Sequence, residues 1–333
     1  MALAGVAMAC ALFPTPDEVL FLSDRDGNME IYVMQADGSR QTRLTNNQAQ
    51  DVEAAWSPDG RRIAFTSDRD GNLEVYVMNA DGSQQARLTT EPSPDQSPRW
   101  SPDGSRIAFI SLRDGRQQIY VMNADGTAQT RLIVTDAMLD NPRWSPDGSR
   151  LLVQFNDGSN REEGDIVLVA SDGSGARKVT EGIPNGFLPH WSPDGTAIAF
   201  MSRRSRIVNI YRRSADGSQE LKLTGGEGSD NFPLWSPDGS RILFASTREG
   251  TRQEIYTVDP DGSEVTRLTS NEDEDFQAVW SPRGNRIFFV RLLDRKAEIY
   301  AMQGDGSGET RLTNNKANDT QPLPSPRMQS TGQ

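Results

Sequence analysis

Cysteine and histidine are almost missing from this chain: its 333 residues hold one of each, Cys10 and His190. A single cysteine excludes an internal disulfide, so pairing says nothing about redox compartment. A single histidine is too few for a metal site built on several imidazoles. Positive charge is also in short supply. Lys and Arg number 35 against 47 Asp and Glu, giving a net charge of −12 and a pI near 4.7. That balance argues against nucleic acid and anionic membranes as partners, and favours cations and basic protein surfaces. No apolar run is long enough to span a bilayer.

What the sequence does have is repetition. W-S-P-D-G occurs with its Trp at Trp56, Trp100, Trp144, Trp191 and Trp235, and once more as W-S-P-R-G at Trp280. Internal landmarks keep step with it. From Trp56 the chain reaches Phe65, Tyr76 and Leu88 in turn, and Trp100 follows twelve residues after Leu88. The same interval counted from Leu312 lands on Pro324, where Ser325 and Pro326 survive from the motif and the Trp does not. Leu20-Phe21, Glu30 to Met34 and Thr42 to Thr45 supply the last three landmarks of a unit with no W-S-P-D-G before it. Repeats of this length mean a repeat architecture.

Each landmark lies in a short run of strand formers bounded by turn signals such as Pro58-Asp59-Gly60, Asp70-Gly71-Asn72 and Asp81-Gly82. Four antiparallel strands per unit is the pattern of a propeller blade. The second run, I-A-F or I-L-F, is apolar at consecutive positions, as in a strand covered on both faces. Six complete units, three orphan strands at one end and one at the other predict an all-β, seven-bladed propeller. The strand from Asp319 to Pro326 would be the innermost strand of the blade whose other strands span 18–45. A six-bladed ring with loosely attached terminal strands is the alternative. Pro98, Pro142, Pro189, Pro233 and Pro322, each two residues before the Trp position, fit an inner edge strand that can spare an N–H.

The propeller is expected over 18–326, between an apolar leader, 1–17, and a polar tail, 327–333. Met1 to Phe13 is small and apolar, with Ala7-Met8-Ala9 as a candidate cleavage site, though no Lys or Arg precedes it. It is read as the remnant of a secretory signal, and Cys10 beside it as a minor candidate for lipidation. Export to the periplasm or the extracellular space follows, with the cytoplasm as the location if the leader is not a signal.

The pattern P-x-W-S-P-D-G-x-x-I-A-F-x-S, then D-G-N-x-E-I-Y-V-M-x-A-D-G-S and R-L-T, resembles the TolB-type propeller repeat of bacterial envelope proteins and of the N-terminal parts of some serine peptidases. The likeness runs from about Glu18 to Pro326. It implies a periplasmic scaffold that engages a peptidoglycan-associated lipoprotein and other Tol components. The chain departs from that pattern in lacking the preceding α/β domain and in having seven units rather than six, so a generic TolB-like binding role is the expectation. A related peptidase would need G-x-S-x-G with Asp and His partners, and no G-x-S-x-G occurs. Related metal-dependent lyases rely on several histidines.

Two sets of residues are candidates for a site. Asp51, Asp95, Asp230, Asp275 and Asp319 lie five residues before the Trp position, with Asp140 one place out of register. Equivalent positions in a ring converge on one channel mouth, so these carboxylates are expected to form an acidic collar, whose mutual repulsion a cation or a basic group would relieve. The alternative is that each Asp bonds backbone N–H groups of its own loop. Arg99, Arg143 and His190, one residue before three consecutive Trp, form a basic patch or simply pack between blades. Asp24 to Asn28 with Glu30, and Asp68 to Asn72 with Glu74, read as tight turns rather than calcium loops. Arg43, Arg87, Arg131, Lys178, Lys222, Arg267 and Arg311 suggest repeated ion pairing or solvation at the blade rim rather than seven binding sites. The insertion Asn156 to Asp165 is read as a polar surface loop.

The sequence therefore predicts a non-enzymatic, monomeric propeller that binds a protein or peptide of the cell envelope at the collar. It calls for no cofactor, with a calcium ion at the collar as the one cation the pattern would accommodate. A propeller accessory or remnant of a prolyl oligopeptidase-type hydrolase or a polysaccharide lyase is the competing reading.

Overall fold

The computed structural model describes residues 18–158, 164–180 and 186–326. The leader with Cys10, the tail from 327 and residues 159–163 of the insertion lie outside them, and so do the expectations made there. Every sheet among the described residues has four antiparallel strands, and there are seven sheets. Blade 1 combines Glu18–Ser23, Glu30–Gln35 and Thr42–Arg43 with Asp319–Pro324 as its inner strand. Blades 2 to 7 run in order from inner strands Asp51–Trp56, Asp95–Trp100, Met138–Trp144, Gly186–Trp191, Asp230–Trp235 and Glu274–Trp280. The expected closure is present, with Val19 opposite Pro324 and Ser23 opposite Asp319, and the ring has seven blades rather than six.

The geometry explains why W-S-P-D-G recurs. Ser57 closes the turn after the inner strand, its N–H donating to the Arg62 carbonyl at 2.8 Å and its hydroxyl to Asp59 at 2.6 Å. Gly60 supplies the φ of 67° that the turn requires. Trp reaches back to the neighbouring blade: the indole N–H of Trp100 donates to the Ala55 carbonyl at 3.2 Å, Trp144 to Arg99 at 3.0 Å and Trp191 to Arg143 at 3.1 Å. Trp56 makes the same bond to Leu323 at 3.1 Å, across the junction between the two ends of the chain.

Blades are held to each other mainly by apolar surface. The second strands are buried almost end to end, and Phe65, Phe109, Phe200 and Phe289 have no solvent exposure. Leu20, Leu22 and Ile31 of blade 1 pack with Trp56, Ile63 and Phe65 of blade 2, and a comparable cluster fills each blade interface. Each such side chain contributes about 1.5–3 kcal/mol of burial. At the third and fourth strands an ion pair is repeated. Glu30, Glu74, Glu254 and Glu298 are buried and accept from Arg43, Arg87, Arg267 and Arg311 at 2.6–3.1 Å. At the equivalent rim positions Arg131 pairs with Asp114 and Lys178 with Asp165 instead.

Candidate functional site

Seven inner strands line the central channel, and each carries the same irregularity. Pairing with the second strand breaks between Val52 and Ala55, Gln96 and Arg99, Asp140 and Arg143, Phe187 and His190, Asn231 and Leu234, and Phe276 and Val279, with a matching break in blade 1. One residue in each bulge is left-handed: Glu53, Ser97, Asn141, Leu188, Phe232, Gln277 and Gln321, with φ between 49° and 58°. The prolines noted in the sequence follow directly, so the bulge absorbs their missing N–H.

These bulges differ in what they offer around the ring. Glu53 accepts from the backbone N–H of Ser97 in the next blade at 2.7 Å and from Thr66 at 2.8 Å, and Gln277 links to Gln321 in the same way at 3.0 Å. Blades 5 and 6 place Leu188 and Phe232 there instead, and Phe232 is 53% exposed. At the register position just before the Trp the division continues. Arg99, Arg143 and His190 occupy blades 3 to 5, while Leu234, Val279 and Leu323 occupy blades 6, 7 and 1. The charged side chains of the channel wall thus fall on blades 2 to 4, with Glu53, Arg99, Asp140 and Arg143, while blade 6 is apolar at both positions, with Phe232 and Leu234.

Of the three residues before the Trp, Arg143 lies near enough to act on His190, and Arg99 near enough to act on Arg143. Burial, then the Arg143 charge, hold the His190 imidazole down to about 3, so the ring is neutral, with Nδ1 bonded to the Trp191 carbonyl at 3.0 Å. Burial and the neighbouring Arg99 lower Arg143 to about 10. Burial lowers Arg99 as well, against the opposing pull of Glu53 and Asp140. Arg99 also donates to the Pro98 carbonyl at 2.9 Å.

The acidic collar is built differently from the expectation. Asp51, Asp95, Asp230, Asp275 and Asp319 are all withdrawn from solvent, none more than 2% exposed. Each is bound by an arginine of its own blade: Arg69 at 2.9 Å, Arg113 at 2.7 Å, Arg248 at 2.9 Å, Arg291 at 2.7 Å and Arg25 at 3.0 Å. Those guanidiniums stack on the Tyr of the third strand, Arg25 lying 4.5 Å from the Tyr32 ring centre and Arg69 4.6 Å from that of Tyr76. Asp140 stands apart on its inner strand, partly exposed, accepting from the Asn141 N–H at 2.6 Å. Among the described residues no three His, Cys, Asp or Glu side chains are grouped to hold a metal ion, so the geometry gives a calcium ion at the collar no support. Asp24 to Asn28 forms a tight turn, with the Gly27 N–H on the Asp24 carbonyl at 3.0 Å.

A second concavity, of about 330 Å³, lies on blade 6 away from the inner strand, lined by Ser246, Glu249, Arg252, Arg267 and Glu272 among others. No described helix is long and apolar enough to cross a membrane.

Comparisons with known proteins agree with this architecture. The family model of the TolB beta propeller domain matches residues 1–91, 69–188 and 170–330. No curated protein sequence matches the chain. Among solved structures, a candidate TolB from Agrobacterium tumefaciens is 28% identical over 69% of this chain and 84% of its own, with a TM-score of 0.56. An oligogalacturonate lyase in complex with manganese is 15% identical over 88% of this chain and 84% of its own, at a TM-score of 0.68. A puromycin-hydrolyzing peptidase from Mycobacterium tuberculosis is 16% identical at a TM-score of 0.72, covering 90% of this chain and 52% of the peptidase. Likeness at those last identities speaks for the fold alone.

Proposed function

The chain belongs to the TolB beta propeller domain family, and from that premise we propose that it is a non-enzymatic, monomeric scaffold of the bacterial cell envelope, periplasmic or extracellular, which receives a protein or peptide at its channel. The observation that carries this reading is Phe232, an aromatic side chain 53% exposed on an inner strand and held there by a left-handed backbone, next to a blade with Leu188 in the same position. An exposed aromatic beside fixed polar groups is the make-up of a binding hot spot. The mechanism is presentation. A closed ring fixes these groups before the partner arrives, so little conformational entropy is lost on association.

The buried aspartates have a structural part in this proposal: they brace the blade, and the channel wall does the binding. The accessory or remnant reading rests on fold likeness to the lyase and the peptidase. Affinity capture from an envelope extract, with the unmodified protein beside Phe232→Ser, tests the scaffold. A partner held by the first and lost by the still-folded second is the expected result. Equal recovery by both baits, or release of product from peptides or oligosaccharides by the protein alone, overturns it.

A further inference from the structure

The charged part of the channel wall contains donors that no described residue satisfies. Among the described residues the Arg143 side chain has no hydrogen-bond or ion-pair partner, and its Nε is buried. Asn141, two residues earlier at the bulge, has a buried Nδ2 that is likewise unbonded. Neither nearby carboxylate pairs with Arg143 among the described residues. Glu53 is held by Thr66 and Ser97, and Asp140 by the Asn141 backbone N–H. Both act on Arg99, whereas the charged neighbour acting on Arg143 is Arg99 itself. The backbone under this pair is fixed, because Trp144 and Trp191 donate to the carbonyls of Arg99 and Arg143. An enclosed cation with no counter-charge and unused donors is costly until an anion arrives to use them.

We propose that Arg143, with Asn141 and Arg99, forms a receptor for a carboxylate inside the channel, and that an apolar part of the same ligand lies along Leu188 and Phe232. A carboxylate fits better than a bare inorganic anion for two reasons. A guanidinium fork matches two planar oxygens, and the adjoining inner strands of blades 5 and 6 are apolar at the bulge. The acidic protein as a whole repels anions, so binding must come from these local donors. This inference rests on the scaffold reading and names the group by which a peptide is held, whether its C-terminus or an acidic side chain.

Calorimetry with 3-phenylpropionate, its amide and inorganic phosphate tests the site on the unmodified protein at fixed ionic strength. The acid is expected to bind at least about tenfold more tightly than either of the others, and Arg143→Gln to remove that preference, while Arg143→Lys keeps only part of it. Equal affinity for acid and amide, phosphate bound as tightly as the acid, no binding at millimolar concentration, or a preference that survives Arg143→Gln would each overturn the proposal. Should the acid bind while envelope capture finds no partner, the receptor stands and the scaffold reading fails. Should a captured partner bind Arg143→Gln equally well, the scaffold stands and the receptor fails.

Discussion

His190 is the only imidazole in the chain, so its titration can be followed without overlap. Its folded value, about 3, lies below the ordinary 6.5. The unfolded chain therefore takes up a proton that the folded ring refuses. Stability from the neutral ring is complete above pH 6.5 and is lost as pH falls, at about 1 kcal/mol per unit. The proton NMR signal of the ring should stay fixed from pH 7 to 5, and His190→Gln should flatten the stability slope over that interval; a ring that titrates near 6.5 would refute its enclosure. The buried aspartates make a second prediction at this scale. Asp275 takes two bonds from Arg291, at 2.7 and 2.8 Å, with the guanidinium 7% exposed. Asp275→Ala should cost about 3 kcal/mol in urea denaturation, and a loss below about 0.5 kcal/mol would mean the pair is worth no more than a surface one. The sequence showed that these aspartates recur but not what they face. Their partners, Arg69 for Asp51 and Arg291 for Asp275, lie 18 and 16 residues downstream on the next hairpin, and only the register of the blade brings them back.

At the scale of the strand, the repeat was legible wherever a residue type is demanded by its place. Trp100 needs an indole to reach the carbonyl of Ala55. Gly82 needs the absence of a Cβ, which would sit 2.8 Å from the Leu44 oxygen. The bulge was illegible because no one residue type is demanded there. Its seven occupants range from Glu53 to Phe232, and Asn141 alone is a common left-handed residue. The spacing of the prolines marked the place without revealing its geometry. A β-carbon in this conformation costs roughly 1–2 kcal/mol, partly offset in a glycine by the greater freedom of its unfolded chain. Phe232→Gly should therefore raise stability by about 0.5 kcal/mol while weakening capture of the partner, since the ring it removes is exposed and contributes little to the core. Denaturation beside the capture assay checks both halves. A fall of more than about 1 kcal/mol would place the Phe232 ring among the groups that hold blades 5 and 6 together.

For the whole molecule the decisive element is Asp319–Pro324, which makes the two ends of the chain one sheet. Removing it takes from Arg25 its carboxylate, from Trp56 its acceptor on Leu323 and from Asp24 its three bonds with Asn318 if the cut falls before that residue. It also strips the Glu18–Ser23 strand of its neighbour and opens an edge to aggregation. A chain ending at Ala317 should lose about 10 °C or more of thermal stability, with turbidity on heating. That result alone would not separate ring closure from the loss of a few contacts. A circular permutant does. The Ser325 N–H donates to the Glu18 carbonyl at 2.8 Å, so a hairpin linker of about 2–5 residues joins 326 to 18, and new ends can be opened between Arg87 and Asp95, where one blade passes to the next. Every native pairing is then kept, and closure depends on apolar and indole contacts between blades 2 and 3 instead of hydrogen bonds within blade 1. If strand exchange at the junction is what makes the ring cooperative, the permutant unfolds in two steps and at lower urea than the parent. If the blade interfaces suffice, it matches the parent to within about 1 kcal/mol, and the shared blade serves to bring the ends together during folding and not to hold the finished ring. The cluster around Phe109, which has a counterpart at each of the other interfaces, and the Trp100 bond to Ala55, repeated at three of them, favour the second outcome.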